Sequence, residues 1–198
     1  GQGDSIALGI VEKFLDTGQE ILRLPFPTDD ADAASGVWRA AATSVVARLE
    51  QGQDVAFITE GDPMLYSTFS YVLSGVVELR PDAPIEIVPG VSSIMAAAAR
   101  AQVPLAIGEQ RLAILPAVYG IDDLPDTAAD FNTMVLMKVS PVLVKVLANL
   151  GDLGLKGRST YVRRATTAQE QIIRDLSELK DEDVDYFSIL IVKNEVPD

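Results

Sequence analysis

Residues 54–63 read Asp-Val-Ala-Phe-Ile-Thr-Glu-Gly-Asp-Pro, an apolar run of strand length that passes directly into turn-forming residues. Leu65 to Leu79 follows with the apolar spacing of a helix. Further along, Ile85 to Val88 repeats the pattern: an apolar run meets Pro89-Gly90, and an Ala-rich helix spans Ser92 to Gln102. Strand, glycine turn and helix in immediate succession, twice over, is the signature of parallel α/β structure, in which ligands gather at the carboxyl ends of the strands. Both glycine turns are expected on that edge.

Working outward, Ser5 to Leu15 carries Ile6, Ile10 and Phe14 at helical spacing and is stopped by Asp16-Thr17-Gly18. Ile21 to Pro25 reads as a strand, Thr28 to Gly36 as a loop with helix-capping candidates Asp32 and Ser35, and Trp38 to Gln51 as an amphipathic helix ending at Gly52. Beyond Pro104 the composition shifts. Strands are predicted at Arg111 to Pro116, Thr133 to Lys138, Thr160 to Arg163 and Tyr186 to Lys193, helices at Ser140 to Leu150 and Ala168 to Leu179, and a loop or short helix at Tyr119 to Asp130. The expected architecture is two α/β domains, residues 1–107 and 108–198.

At 198 residues the chain is long enough to bury a core in each domain. It has no cysteine and no histidine, which removes disulfides, thiolate chemistry, the commonest metal ligand and the commonest general base. No metal is expected on the protein itself. A formal net charge of −13 argues against a nucleic-acid partner, because phosphate binding needs a concentrated basic surface. Apolar stretches such as Val135 to Met137 and Ile189 to Val192 are far short of the roughly 20 residues that span a bilayer, so no membrane segment is expected. The N-terminus shows no secretory pattern, and a cytoplasmic location is the expectation.

Gly-Asp-Pro after a strand, and Pro-Gly-Val-Ser-Ser after another, are each the residues that ordinary turns and helix caps prefer. Their order and neighbours are more specific. Glu60-Gly61-Asp62-Pro63-Met64-Leu65-Tyr66-Ser67-Thr68-Phe69 resembles the corresponding motif of precorrin-2 C(20)-methyltransferases, members of the tetrapyrrole methylase family. Val88 to Ser93, with Ala96 to Arg100 and Val103-Pro104-Leu105, is similar to the second family motif. Val135 to Val139 and Tyr161 to Thr167, followed by Gln169-Glu170-Gln171, resemble the third and fourth, and Asp185 to Ser188 resembles the start of the closing strand. The likeness runs from about Ser5 to Val196. The family opens with a strand and a glycine- and proline-rich loop that have no counterpart here.

The resemblance implies two α/β domains flanking a cleft, S-adenosylmethionine as methyl donor, and carbon 20 of precorrin-2 or cobalt-factor II as acceptor. It implies cofactor contacts at Glu60, Gly61, Asp62, Leu65, Ser92 and Ser93, with Met137 and Ala165 flanking the adenine and Thr166 and Ser188 nearby. A polyanionic macrocycle in an acidic protein needs local cations. Arg111, Lys138, Arg163 and Arg164 are the candidates, the arginines favoured for bidentate carboxylate pairing, and Tyr66 joins them as a substrate contact. Plain readings stand beside these: Met137 as core filling, the cations as solvated surface charge, Tyr66 and Tyr71 as helix core. Methyl transfer needs positioning more than a protein nucleophile, so no catalytic residue is singled out. Family members are commonly homodimers. The competing functions are another branch of the family, acting at a different macrocycle carbon or on a diphthamide side chain, and a cofactor-binding module without turnover.

Overall fold

The computed structural model describes residues 5–24, 31–120 and 122–194, together with the backbone but not the side chains of residues 31–34, 119 and 120. Pro25, residues 28–30 of the predicted 28–36 loop and the Asp32 side chain lie outside the described residues. The chain divides into two compact units, Gly1–Ser92 and Ser93–Asp198. The division falls before the boundary expected at 107/108, because the helix that begins at Ser93 packs on the C-terminal sheet.

In the N-terminal unit, α1 (Ile6–Val11) starts where the Ser5 hydroxyl accepts the Leu8 N–H at 3.2 Å, and a 3₁₀ turn over Glu12–Phe14 ends it. Residues 21–24 form no strand. α2 spans Ala31–Glu50, so helix replaces the predicted loop over 31–36. α3 spans Phe69–Leu79. Ala41, Ala42, Val45 and Val46 of α2 close on Val72 and Val76 of α3. Gly75 permits that approach, since a Cβ there would stand 2.7 Å from the Ala42 Cβ. Tyr71 is not core: it is exposed and stacks on Trp38 with ring centroids 4.8 Å apart.

Residues 54–59 lie between α2 and α3 and residues 85–88 follow α3, yet neither segment pairs in a ladder. Apolar runs identify segments that prefer burial. A strand is a property of a pair, defined by backbone hydrogen bonds to a neighbour, and among the described residues of this unit no ladder is present.

The C-terminal unit is an α/β layer structure. α4 (Ser93–Ala101) leads to β1 (Leu112–Pro116), then α5 (Ala117–Gly120), α6 (Leu124–Asp130) and β2 (Thr133–Met137). Pro141 sits in a 3₁₀ turn over Ser140–Val142 that opens α7 (Leu143–Asp152), and β3 (Ser159–Arg163), β4 (Gln171–Ile173) and β5 (Ser188–Lys193) complete the sheet. Its order is β1-β2-β5-β3-β4, with β1 parallel to β2 and the other pairs antiparallel. The central strands are buried along nearly their whole length. Such continuous burial belongs to sheets covered on both faces. Met134, Leu136, Tyr161, Leu190 and Val192 turn one way into a core with Leu143, Val146 and Leu150 of α7. α4 packs against β3 and β5.

One prediction in this unit fails. Residues 168–179 were expected as a helix, but Gln171–Ile173 pairs with β3 and Leu176–Glu178 makes only a 3₁₀ turn. The β-branched pair Ile172-Ile173 suits a pleated strand, and Asp175 accepts the Ser177 N–H at 2.9 Å, which starts the short turn instead of a long helix.

Candidate functional site

In the N-terminal unit the two glycine turns meet. The Asp62 carboxylate accepts the Met64 N–H at 2.9 Å through Oδ1 and the Gly90 N–H at 3.0 Å through Oδ2. A Cβ on Gly90 would stand 2.2 Å from the Gly61 carbonyl oxygen, so only glycine allows the contact. Gly61 itself has φ 71°, the left-handed conformation glycine adopts without penalty. Asp62 is therefore a brace between the first and second motifs. Glu60 is exposed and Leu65 half-buried. Ser67, hydrogen-bonded to Thr59 at 3.1 Å, accepts the Phe69 N–H at 3.2 Å and sets the start of α3. Tyr66, between them, is 47% exposed with φ 52°. Ser92 is half-buried at the end of this unit.

In the C-terminal unit, Ser93 is the exposed first residue of α4. The sheet gathers the other predicted residues, Arg111 excepted, on one edge. Met137 ends β2 opposite Ile189, and Arg163 ends β3 opposite Ser188 and Gln171. Met137, Lys138, Arg163, Arg164, Ala165, Thr166 and Ser188 thus lie where β2 and β3 finish and β5 begins. β5 alone separates the ends of β2 and β3, a span of about 10 Å.

The backbone on this edge is strained. Among the described residues, the non-glycine positions with positive φ are Tyr66 (52°), Gln102 (55°), Lys138 (54°), Arg164 (45°) and Thr166 (69°). Gln102 is the left-handed residue that follows α4 and closes it. The remaining four are all positions singled out in the sequence. A left-handed L-residue costs roughly 1–2 kcal/mol, and such costs collect where function fixes the geometry.

Asp185 holds this edge together. Its Oδ2 accepts Arg164 Nε–H at 2.6 Å and lies 3.6 Å from Arg163 Nε, while Oδ1 accepts the Phe187 N–H at 2.8 Å. Arg164 N–H donates to the Phe187 carbonyl at 2.8 Å, and its guanidinium stands 5.6 Å from that ring's centroid. Burial pushes the Asp185 carboxyl up, but the Arg164 and Phe187 hydrogen bonds and both guanidinium charges outweigh it and hold the group below the usual aspartate range. Both guanidiniums share the Asp185 carboxylate, and Arg163 also lies within the field of the Asp183 carboxylate. Arg163 Nε is buried with no hydrogen-bond acceptor. Ser188 is buried, and its hydroxyl donates to the Asp185 carbonyl at 2.6 Å.

Arg111 is not brought to this edge. It precedes β1 at the opposite end of the sheet, a strand length of roughly 16 Å away, where its N–H donates to Asn132 Oδ1 at 2.8 Å and its side chain covers the Phe131 ring. Asp185 was missed as a site residue in the sequence, although it immediately precedes the closing strand. Two clefts, of about 550 Å³ beside α4 and about 420 Å³ between α2 and α3, contain none of the predicted residues. Among the described residues no three His, Cys, Asp or Glu side chains converge as metal ligands, and no helix is long and apolar enough to cross a membrane.

Comparison with known proteins follows the same lines. The profile of the tetrapyrrole (corrin/porphyrin) methylases matches residues 3–180. The cobalt-precorrin-2 C(20)-methyltransferase of Salmonella typhimurium is 36% identical over 98% of this chain and 81% of its own length. The precorrin-2 C(20)-methyltransferase of a Sinorhizobium species is 30% identical over 97% of this chain and 79% of its own. Among solved structures, the Thermus thermophilus uroporphyrin-III C-methyltransferase complexed with S-adenyl homocysteine superposes with a TM-score of 0.54 at 24% identity, covering 80% of this chain and 72% of that one.

Proposed function

The chain belongs to the tetrapyrrole methylase family, and from that premise we propose that it is a C-methyltransferase of cobalamin biosynthesis, moving the methyl group of S-adenosylmethionine to carbon 20 of a precorrin-2 macrocycle. The observation that carries the reading is the coincidence of strain with motif: Tyr66, Lys138, Arg164 and Thr166 hold left-handed backbone at the positions where the family motifs fall. Similarity to C(20)-methyltransferases over nearly the whole chain supplies the substrate.

The residues fit the donor. Half-buried Met137 and Ala165 stand at the ends of the two strands flanking β5, an apolar pair for the faces of an adenine, with Thr166 and Ser188 beside them. In the N-terminal unit Glu60, Gly61, Asp62, Leu65 and Ser92 are the cofactor contacts, with Ser93 heading α4. S-adenosylmethionine, when bound, supplies a methyl group made electrophilic by its sulfonium. The protein's share of the work is orientation, worth roughly 7–11 kcal/mol when reacting atoms are held in line. Arg163 and Arg164 offer guanidinium donors to the carboxylate arms of the macrocycle, and Lys138 and Tyr66 serve the same substrate. Arg111, on the opposite edge, takes no part. Tyr161 is no general base, since burial raises its pKa and its hydroxyl donates to the Asp183 carbonyl at 2.9 Å. A cytoplasmic homodimer completes the proposal.

The test is methyl transfer from labelled S-adenosylmethionine to precorrin-2 and to its cobalt complex, with the methylated carbon located by NMR. Label at carbon 20 is expected, with the cobalt form the better substrate because the relative named for it is the more similar. Label at another carbon would move the protein to a different branch. Cofactor binding with no transfer would make it a binding module.

A further inference from the structure

The turn after β3 is held by Glu170, a carboxylate of the fourth motif segment that the resemblance assigns no role. Thr166, at φ 69°, donates its N–H to Glu170 Oε2 at 2.6 Å. Glu170 is in turn gripped by Arg100: Nε reaches Oε1 at 2.9 Å and Oε2 at 2.8 Å, and a terminal nitrogen reaches Oε1 at 2.7 Å. Arg100 lies in the last turn of α4, the helix headed by Ser93. The Glu170 side chain is 14% exposed, whereas Arg100 is 55% exposed and approaches from the solvent side. The Arg100 and Thr166 hydrogen bonds hold the carboxyl below the usual glutamate range against a smaller push from burial, so it stays ionised and acceptor-only.

The described peptides are all trans, so an amide whose N–H is captured on one side turns its carbonyl to the other. The Glu170 bond therefore sets the plane of the Ala165–Thr166 peptide and turns the Ala165 carbonyl away from Glu170. The same carboxylate ties that turn to α4. We propose that Glu170, oriented by Arg100, is a positioning residue for the methyl donor: it fixes the strained Ala165–Thr166 peptide in the one orientation in which that turn receives the ligand. This rests on the reading that the turn takes S-adenosylmethionine.

A plain helix staple would look similar, and the molecule contains one for comparison. A terminal nitrogen of Arg174 donates to the Ala101 carbonyl at 2.6 Å, joining α4 to the end of β4 without touching Thr166. The experiment measures S-adenosylhomocysteine binding by calorimetry, methyl-transfer kinetics and thermal midpoint on the full chain and four variants. Glu170→Ala is expected to weaken binding about tenfold, the size of one lost charge-assisted hydrogen bond, with KM for the donor rising far more than kcat falls. Glu170→Gln, which keeps an acceptor for Thr166, should recover most of that affinity, and Arg100→Ala should fall between the two. Arg174→Ala should lower the thermal midpoint without a comparable loss of binding. If Glu170→Ala lowers the midpoint as Arg174→Ala does and the folded protein still binds with wild-type affinity, the positioning role is wrong and the pair is only a staple. If the wild-type chain binds no S-adenosylhomocysteine, the methyltransferase reading fails and this assignment falls with it.

Discussion

The Gly61–Gly90 turns and the edge where β2 and β3 end face the same problem, a chain that must turn sharply at a family motif, and they solve it differently. The first uses glycine at both points of closest approach, with a single carboxylate, Asp62, as brace. The second forces Lys138, Arg164 and Thr166 into left-handed backbone and holds them with a sheet, an ion pair at Asp185 and the carboxylate of Glu170. Glycine gives the geometry at little cost but offers no side chain. Where the side chain itself is needed, strain is accepted and offset elsewhere.

The largest effect expected from breaking that contrast is at Gly90. Gly90→Ala places a Cβ against the Gly61 carbonyl, a backbone atom that cannot swing aside, and should cost about 3 kcal/mol in denaturant unfolding. A loss under about 0.5 kcal/mol, the size of an ordinary surface change, would show that the two turns do not meet.

Asp185→Asn comes next. It removes the charge shared by Arg163 and Arg164 and should cost about 2 kcal/mol. Because the Asp185 carboxyl is held below its unfolded value, its contribution is fully present above the unfolded aspartate range near pH 3.9 and is lost as pH falls through the lower folded pKa. The wild-type protein should therefore lose stability on acidification below about pH 4, and Asp185→Asn should flatten that slope. Identical acid profiles would remove Asp185 from the account.

These positions also show what could be read in the chain beforehand. Strands β1, β2, β3 and β5 and helices α4 and α7 were legible, because each is an apolar pattern of the right period bounded by turn residues. Residues 54–59 and 85–88 carry the same pattern without a ladder, since pairing is non-local. Residues 168–179 misled because apolar spacing there suits helix and strand alike, and the neighbouring β3 decided for strand. The site motifs were legible as turn chemistry. Asp185, Glu170 and Arg100 lie in the quoted motif segments, but their roles were not legible, because these come from contacts across the fold, 70 residues apart for Arg100 and Glu170.

A smaller effect, of opposite sign, sharpens the comparison. Thr166→Gly should relieve strain and stabilise the fold by about 1 kcal/mol while weakening S-adenosylhomocysteine binding. Gain of stability with unchanged binding would mean that the left-handed threonine serves the fold alone.

The most direct test of the central claim is hydrogen exchange of the full chain with and without S-adenosylhomocysteine. The account predicts that protection on binding concentrates at residues 137–138 and 164–166 and at the 60–62 turn. Protection confined to the clefts beside α4 or between α2 and α3, with the strained edge unchanged, would contradict it.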